Sequence, residues 1–248
     1  MITTSLKRYL FLLFACICGT AALAQNADST IVSGDSTLAN TNSTFKVKPL
    51  RYTFKQLIIP VSLVGVGFAV NGGGRESIKN EIVEERNEHI PHFRTRLDDY
   101  LQFSPLLLTY GFEAFGMKPK TDPINRSVIL LKSQLLMMAA VTALKTTSHT
   151  LRPDGSAHTS FPSGHTAEAF AGAAMLSEEY GYRYKWVPYV SYGLASTVGA
   201  LRMINNKHYV SDVLVAAGIG ILSTKISYWT HRYKWNKRNS HKYPVELN

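Results

Sequence analysis

Between residues 57 and 229 the chain offers apolar runs of helical length and almost no alternation of apolar with polar residues. A strand that buries one face needs that period-two alternation, whereas a helix needs apolar side chains every three to four positions. Seven segments read as helices: 57–70, 76–86, 101–115, 128–144, 166–176, 187–203 and 210–229. The segment 76–86 is highly charged and amphipathic at best, a surface helix, while 128–144 is the strongest apolar one. The expected fold is therefore all-α, a bundle of about six helices. Asn71-Gly72-Gly73-Gly74 ends the first helix and lacks the Gly-Lys-Ser/Thr of a phosphate loop, so it reads as a turn.

The N-terminal segment is of a different kind. Lys7 and Arg8 precede an apolar run over 9–21, and Ala22-Leu23-Ala24 supplies a small-residue cleavage site. Residues 1–24 are read as a secretory signal peptide. An uncleaved anchor fits less well, because the run is short for a span of about 20 residues. An acylated Cys16 or Cys18 fits poorly too, since Phe14 and Ala15 depart from the small-residue pattern expected there. Both cysteines lie within this segment, so a cleaved chain has neither a disulfide nor a thiol nucleophile. Residues 25–49, rich in Ser, Thr, Asn and Asp, read as a disordered linker, 50–232 as the folded domain, and 233–248 as a basic tail.

The net charge of +10 suits an anionic partner such as a phosphate ester, a phosphorylated lipid or a membrane surface. No nucleic-acid motif is visible, and no nucleic-acid partner is expected. The basic tail reads as a solvated terminus in preference to a lipid-head-group site. Membrane crossing stays open at this point. Lys132 and Lys225 interrupt two of the apolar helices, and 166–176 is too short to cross about 30 Å of hydrocarbon. With the signal cleaved, an even number of crossings must precede Lys145. Segments 57–70 and 128–144 supply two, and a soluble periplasmic bundle supplies none.

Three short polar segments stand out among the helices. They are Lys145-Thr146-Thr147-Ser148-His149-Thr150-Leu151-Arg152-Pro153, Phe161-Pro162-Ser163-Gly164-His165, and the stretch from Arg202 through His208 to Asp212. Each has an ordinary explanation alone: charges at a helix C-terminus, an N-cap turn, and an i,i+4 side-chain pair. Together they meet the demands of phosphoryl transfer, which needs cations around a tetrahedral oxyanion, an in-line nucleophile and an acid for the leaving oxygen. Lys145, Arg152 and Arg202 supply charge, and the arginines can bind phosphate oxygens as a bidentate fork. Ser163 offers a hydroxyl, and the N–H groups of Gly164 and His165 open a helix where an anion can sit. Asp212 can accept from Nδ1–H of His208 and leave Nε2 as the nucleophile. His165, beside the anion cradle, is then placed to protonate the leaving group.

These segments resemble the type 2 phosphatidic acid phosphatase superfamily, which also includes bacterial class A acid phosphatases and vanadium haloperoxidases. Its motifs are Lys-x6-Arg-Pro, Pro-Ser-Gly-His and Ser-Arg-x5-His-x3-Asp. Lys145 to Pro153 and Pro162 to His165 match the first two, and Arg202, His208 and Asp212 match the third, with Leu201 where the family usually has Ser. The resemblance is tight over 145–212 and extends through the helix pattern over about 50–229. It implies His208 as nucleophile, His165 as general acid and Asp212 as the residue orienting His208. Phosphate binding is implied for Lys145, Arg152, Ser163, Gly164 and Arg202, with no metal and no other cofactor. The site would lie in loops and helix ends at one end of the bundle. His149, His158 and Asp154 match no motif position.

The expected function is a phosphomonoesterase of the bacterial envelope, facing the periplasm and associated with the membrane. Its expected substrate is a phosphorylated lipid: phosphatidate, phosphatidylglycerophosphate, undecaprenyl pyrophosphate or lipid A. A soluble periplasmic acid phosphatase is the alternative. A haloperoxidase is disfavoured by the short chain, and a non-catalytic binding protein by the intact His165 and His208.

Overall fold

The helix Val210–Trp229 is buried along nearly its whole length, and the rest of the fold is arranged around it. The computed structural model describes residues 53–72 and 77–231. The segments read as signal peptide (1–24), linker (25–49) and basic tail (233–248), with the last two glycines of the 71–74 turn, lie outside the described residues. Among those described, the chain is all-α as expected, with eight helices and no strand. They are α1 (Lys55–Val70), α2 (Ile78–His89), α3 (Leu97–Leu101), α4 (Ser104–Ala114), α5 (Pro123–Ser148), α6 (Gly164–Tyr180), α7 (Val187–Ile204) and α8 (Val210–Trp229).

Most boundaries shift by a few residues from the sequence expectation, and two segments show why. The segment 101–115 becomes α4 alone, since Pro105 sits in its first turn and a helix does not run through it from before. α3, at Leu97–Leu101, is not among the expected helices and stands just before it. The segment 128–144 starts earlier and ends later, as α5. Asp122 caps it by accepting from Ile124 N and Asn125 N, each at 3.2 Å, and Pro123 takes the first position. At its other end His149 turns left-handed, with φ 44°.

α8 packs against α1, α5 and α6, and α6 packs in turn against α4 and α7. Small residues set the spacing. Phe170, Ala173, Val198, Val213 and Ala217 form the centre of the largest core cluster, each almost fully buried. A side chain on Gly218 would stand 2.5 Å from Pro60 O of α1, and one on Gly220 would stand 2.8 Å from Ala171 N of α6 and closer still to Ala167 O. Glycine at these positions lets helix backbones touch.

Lys225, read above as interrupting an apolar helix, faces inward. It bonds Glu178 at 2.9 Å, and Lys120 joins the same carboxylate at 3.6 Å. Beside them the fully buried Glu179 accepts from Thr121 and Tyr228. This buried polar cluster closes the end of the bundle opposite the motif residues. Its charges are paired, as burial requires.

Only α5 and α8 are long and apolar enough to cross a membrane among the described helices, and they differ in what their surfaces touch. The apolar stretch of α8 is 83% buried and that of α5 only 22%. Leu131, Leu135, Leu136 and Met138 of α5 face outward, as do Ile58, Val61, Val66 and Phe68 of α1. α8 is thus a core helix, and α5 and α1 carry the exposed apolar surface.

The close approach of α8 to α6 gives a stability test. Gly220→Ala should cost about 1–3 kcal/mol, because two backbone groups of α6 must move to admit the methyl group. Gly193→Ala, with no atom within 4 Å of the new carbon, should be neutral or stabilise by up to ~1 kcal/mol. Thermal unfolding in detergent compares them, and equal melting temperatures would refute this packing.

Candidate active site

Four helix ends and the loops between them carry the motif residues. Lys145 ends α5, Ser163 to His165 open α6, Arg202 ends α7, and His208 to Asp212 lead into α8. Backbone bonds join these pieces. Ser163 N donates to Asp212 O at 3.2 Å, and Asp154 N donates to Asn206 O at 3.1 Å. Within the loop before α6, Ser160 N bonds Thr150 O and Arg152 N bonds Ala157 O, both at 2.9 Å.

His208 and Asp212 are both buried, at 2% and 0% exposure. Nδ1 of His208 lies 3.3 Å from Oδ2 of Asp212. The carboxylate also accepts from Tyr209 N at 3.0 Å, from Ser211 Oγ at 3.2 Å and from Ser160 Oγ at 2.5 Å. Nδ1 therefore carries the hydrogen, and Nε2 is the ring atom with a free lone pair. Burial pushes the imidazole down to about 4, and Arg202 and Lys145 push it the same way, outweighing Asp212. The ring is neutral at neutral pH.

Three cations surround this pair. Lys145 Nζ donates to Thr159 O at 2.6 Å and stands within electrostatic reach of Arg152, Asp212 and Arg202. Arg152 Nη2 reaches Thr159 Oγ1 at 3.4 Å, while its buried Nε has no acceptor among the described residues. Arg202 bonds Asp98 through Nη1 at 2.6 Å, and its Nε is likewise buried without an acceptor there. Two guanidinium N–H groups are thus available to a tetrahedral oxyanion in the cluster.

Ser163 caps α6, accepting from Thr166 N at 3.4 Å and from Thr166 Oγ1 at 2.8 Å. Its own hydroxyl proton remains free to donate. Gly164 is helical without positive φ, and a side chain on it would meet nothing within 4 Å. Backbone strain therefore does not call for glycine here. The open space over the first turn of α6 leaves its N–H groups approachable by an anion. His165 follows, half-buried, with Nε2 3.0 Å from Asp99 Oδ1. Burial and the Arg202 charge lower its pKa, and Asp99 and Asp98 oppose them.

All the sequence-predicted site residues therefore gather at one end of the bundle, and three further residues join them. Asp98 and Asp99 come from α3, and Ser160 from the loop before α6. Asp98 is 1% exposed and accepts from Arg202 and from Asn205 Nδ2 at 2.9 Å. Asp212 is the one carboxylate at the motif positions, yet the assembled site holds these two more. Asp154, left unassigned in sequence, accepts from Lys207 Nζ at 2.6 Å and from Ser156 N at 3.0 Å. Burial raises its pKa, but these bonds prevail and hold its carboxyl at about 2. It ties the loop after α5 to the loop before α8. His149 and His158 are exposed, and His158 Nδ1 lies 3.3 Å from His149 O.

Comparison with known proteins locates the likeness in the same region. The chain is 33% identical over 205 residues to the lipid A 1-phosphatase of Porphyromonas gingivalis, a match covering 82% of this chain and 44% of that protein. The chain thus spans under half the length of that curated relative. A crystal structure of Aquifex aeolicus LpxE superposes with a TM-score of 0.44 at 24% identity, over 62% of this chain and 96% of the other. Residues 126–236, which hold every motif position from Lys145 to Asp212, match the family model of the PAP2 superfamily.

Proposed function

We propose that this protein is a metal-independent phosphatase of the bacterial envelope that hydrolyses a phosphorylated lipid through a phosphohistidine. The observation that carries this is the His208–Asp212 pair, a buried neutral imidazole with Nδ1 engaged and Nε2 free, set among Lys145, Arg152 and Arg202. In the first step the Nε2 lone pair attacks phosphorus. The ester P–O bond breaks, and its electron pair goes to the alcohol oxygen, which takes a proton from His165. Lys145, the two arginines, Ser163 and the first N–H groups of α6 hold the phosphoryl oxygens. In the second step water attacks phosphorus, gives its proton to His165 and releases phosphate from His208.

The apolar flanks favour a lipid over a soluble ester. On α5 the outward residues Leu131, Leu135, Leu136 and Met138 run toward Lys145. Met138 to Lys145 is about 10 Å along the axis, at 1.5 Å per residue. If that flank contacts hydrocarbon, the cations lie at head-group depth, where a lipid's phosphate would meet them. The likeness to a lipid A 1-phosphatase makes lipid A the first substrate to try. The periplasmic orientation rests on the signal peptide.

The two histidines should separate by chemistry, with EDTA present throughout. Acid catalysis is typically worth about 10² to 10⁴. An alkoxide leaves poorly and needs that help, whereas p-nitrophenolate needs little. His165→Ala should therefore lose far more activity on a lipid or alkyl phosphate than in the nitrophenol burst, while His208→Ala loses both. Equal losses from His165→Ala on the two substrates would refute the assignment, and a requirement for added magnesium would refute metal independence.

Asp212→Asn should lower turnover by about 10⁴, by analogy with the carboxylate of a serine-protease triad. A steady-state assay giving near-normal kcat would remove Asp212 from the mechanism.

A further inference from the structure

The carboxylate facing His165 belongs to no motif. Asp99 lies on α3, 66 positions away in sequence, with Oδ1 3.0 Å from His165 Nε2. An ionised carboxylate only accepts hydrogen bonds, so Nε2 must carry hydrogen and Nδ1 is the nitrogen left to exchange a proton. This is the mirror of His208, whose Nδ1 is engaged and whose Nε2 is free.

We propose that Asp99 is a positioning residue for His165, fixing its tautomer and favouring the protonated ring for proton delivery from Nδ1. The proposal rests on the general-acid role of His165 given above. The charges facing the ring come from two other elements. Arg202 of α7 disfavours the imidazolium, whereas Asp98 and Asp99 of α3 favour it. The N-terminal end of α6 itself also disfavours positive charge. Asp98 is committed to Arg202 at 2.6 Å and to Asn205 at 2.9 Å. Asp99 stands 3.9 Å from Arg202 and closer to His165, so it is the carboxylate that offsets burial of the ring.

Protons balance without any change in Asp99. The Nδ1 proton passes to the departing alkoxide, leaving neutral His165 with Nε2–H still on Asp99. Nδ1 then takes the proton of the attacking water, and the imidazolium is restored.

The test is Asp99→Asn, assayed as kcat/KM against pH with octyl phosphate. Loss of a neighbouring opposite charge should move the basic limb down by about one pH unit. That is a tenfold loss on the basic side. The nitrophenol burst from p-nitrophenyl phosphate and inhibition by vanadate, a phosphate-shaped anion, should be unchanged. In a His165→Ala background Asp99→Asn should cost nothing more. A wild-type basic limb would overturn the proposal. So would equal losses on both substrates with weakened vanadate inhibition, since Asp99 would then act through Arg202. The general-acid role fails separately, in His165→Ala alone, as equal loss on both substrates. Selective loss in His165→Ala beside a wild-type limb in Asp99→Asn overturns only the role of Asp99.

Discussion

One buried carboxylate holds the candidate site together. Asp212 is fully enclosed, and its oxygens receive His208 Nδ1, Tyr209 N, Ser211 Oγ and Ser160 Oγ, while its carbonyl receives Ser163 N. A charge so deeply buried is tolerated only when hydrogen bonds replace the water it has lost. The carboxylate's donors come from the start of α8 and the loop before α6, and the bond from Ser163 N to the main-chain carbonyl adds the cap of α6, so the second and third motifs meet at Asp212. The first motif follows through Lys145 and Arg152, both bonded to Thr159, the neighbour of Ser160. Catalytic geometry and local folding are then one requirement, met by the same bonds.

The second constraint is charge. Lys145, Arg152 and Arg202 converge in a partly desolvated region, where like charges repel strongly. Asp212 and Asp98 offset part of this, and the surplus of positive charge is what a phosphate dianion can neutralise. The same field acts on the two imidazoles with different results. His208, nearly inaccessible, is driven by burial to about 4 and stays neutral, as the proposed nucleophile must. His165 is half-exposed and has Asp99 beside it, so its charged form is better supported. Both histidines of the cluster are pushed toward the neutral form, His208 by its deeper burial, while the carboxylates beside His165 oppose that push.

Much of this was legible in the sequence, for physical reasons that differ by element. Residues 210–229 read as a helix with the boundaries it has, because a long, mostly apolar stretch charged only at Asp212 and Lys225 admits little else. The gathering of the eight candidate site residues was legible because phosphoryl transfer, the expected chemistry, calls for such a set of donors in order. α3 was not. Its five residues are too few to show a period, and the break made by Pro105 was read as the interior of a longer helix. Asp98 and Asp99 carried no signal in sequence, since their partners Arg202 and His165 lie 104 and 66 positions away. Ser160 was missed likewise, its partner Asp212 being 52 positions distant. Lys225 misled in the other direction. A lysine in an apolar helix suggests an interruption, and the ion pair with Glu178 that permits it is visible only in three dimensions.

The central claim is that His208 carries the phosphoryl group, and trapping that group tests it most directly. Phosphoramidates survive base and are lost in acid, so turnover should be stopped by rapid alkaline quench and the peptides mapped by mass. The account predicts a phosphorylated histidine at position 208, absent in His208→Ala. Phosphate found on Ser163 or another hydroxyl, or continued turnover by His208→Ala, would contradict it.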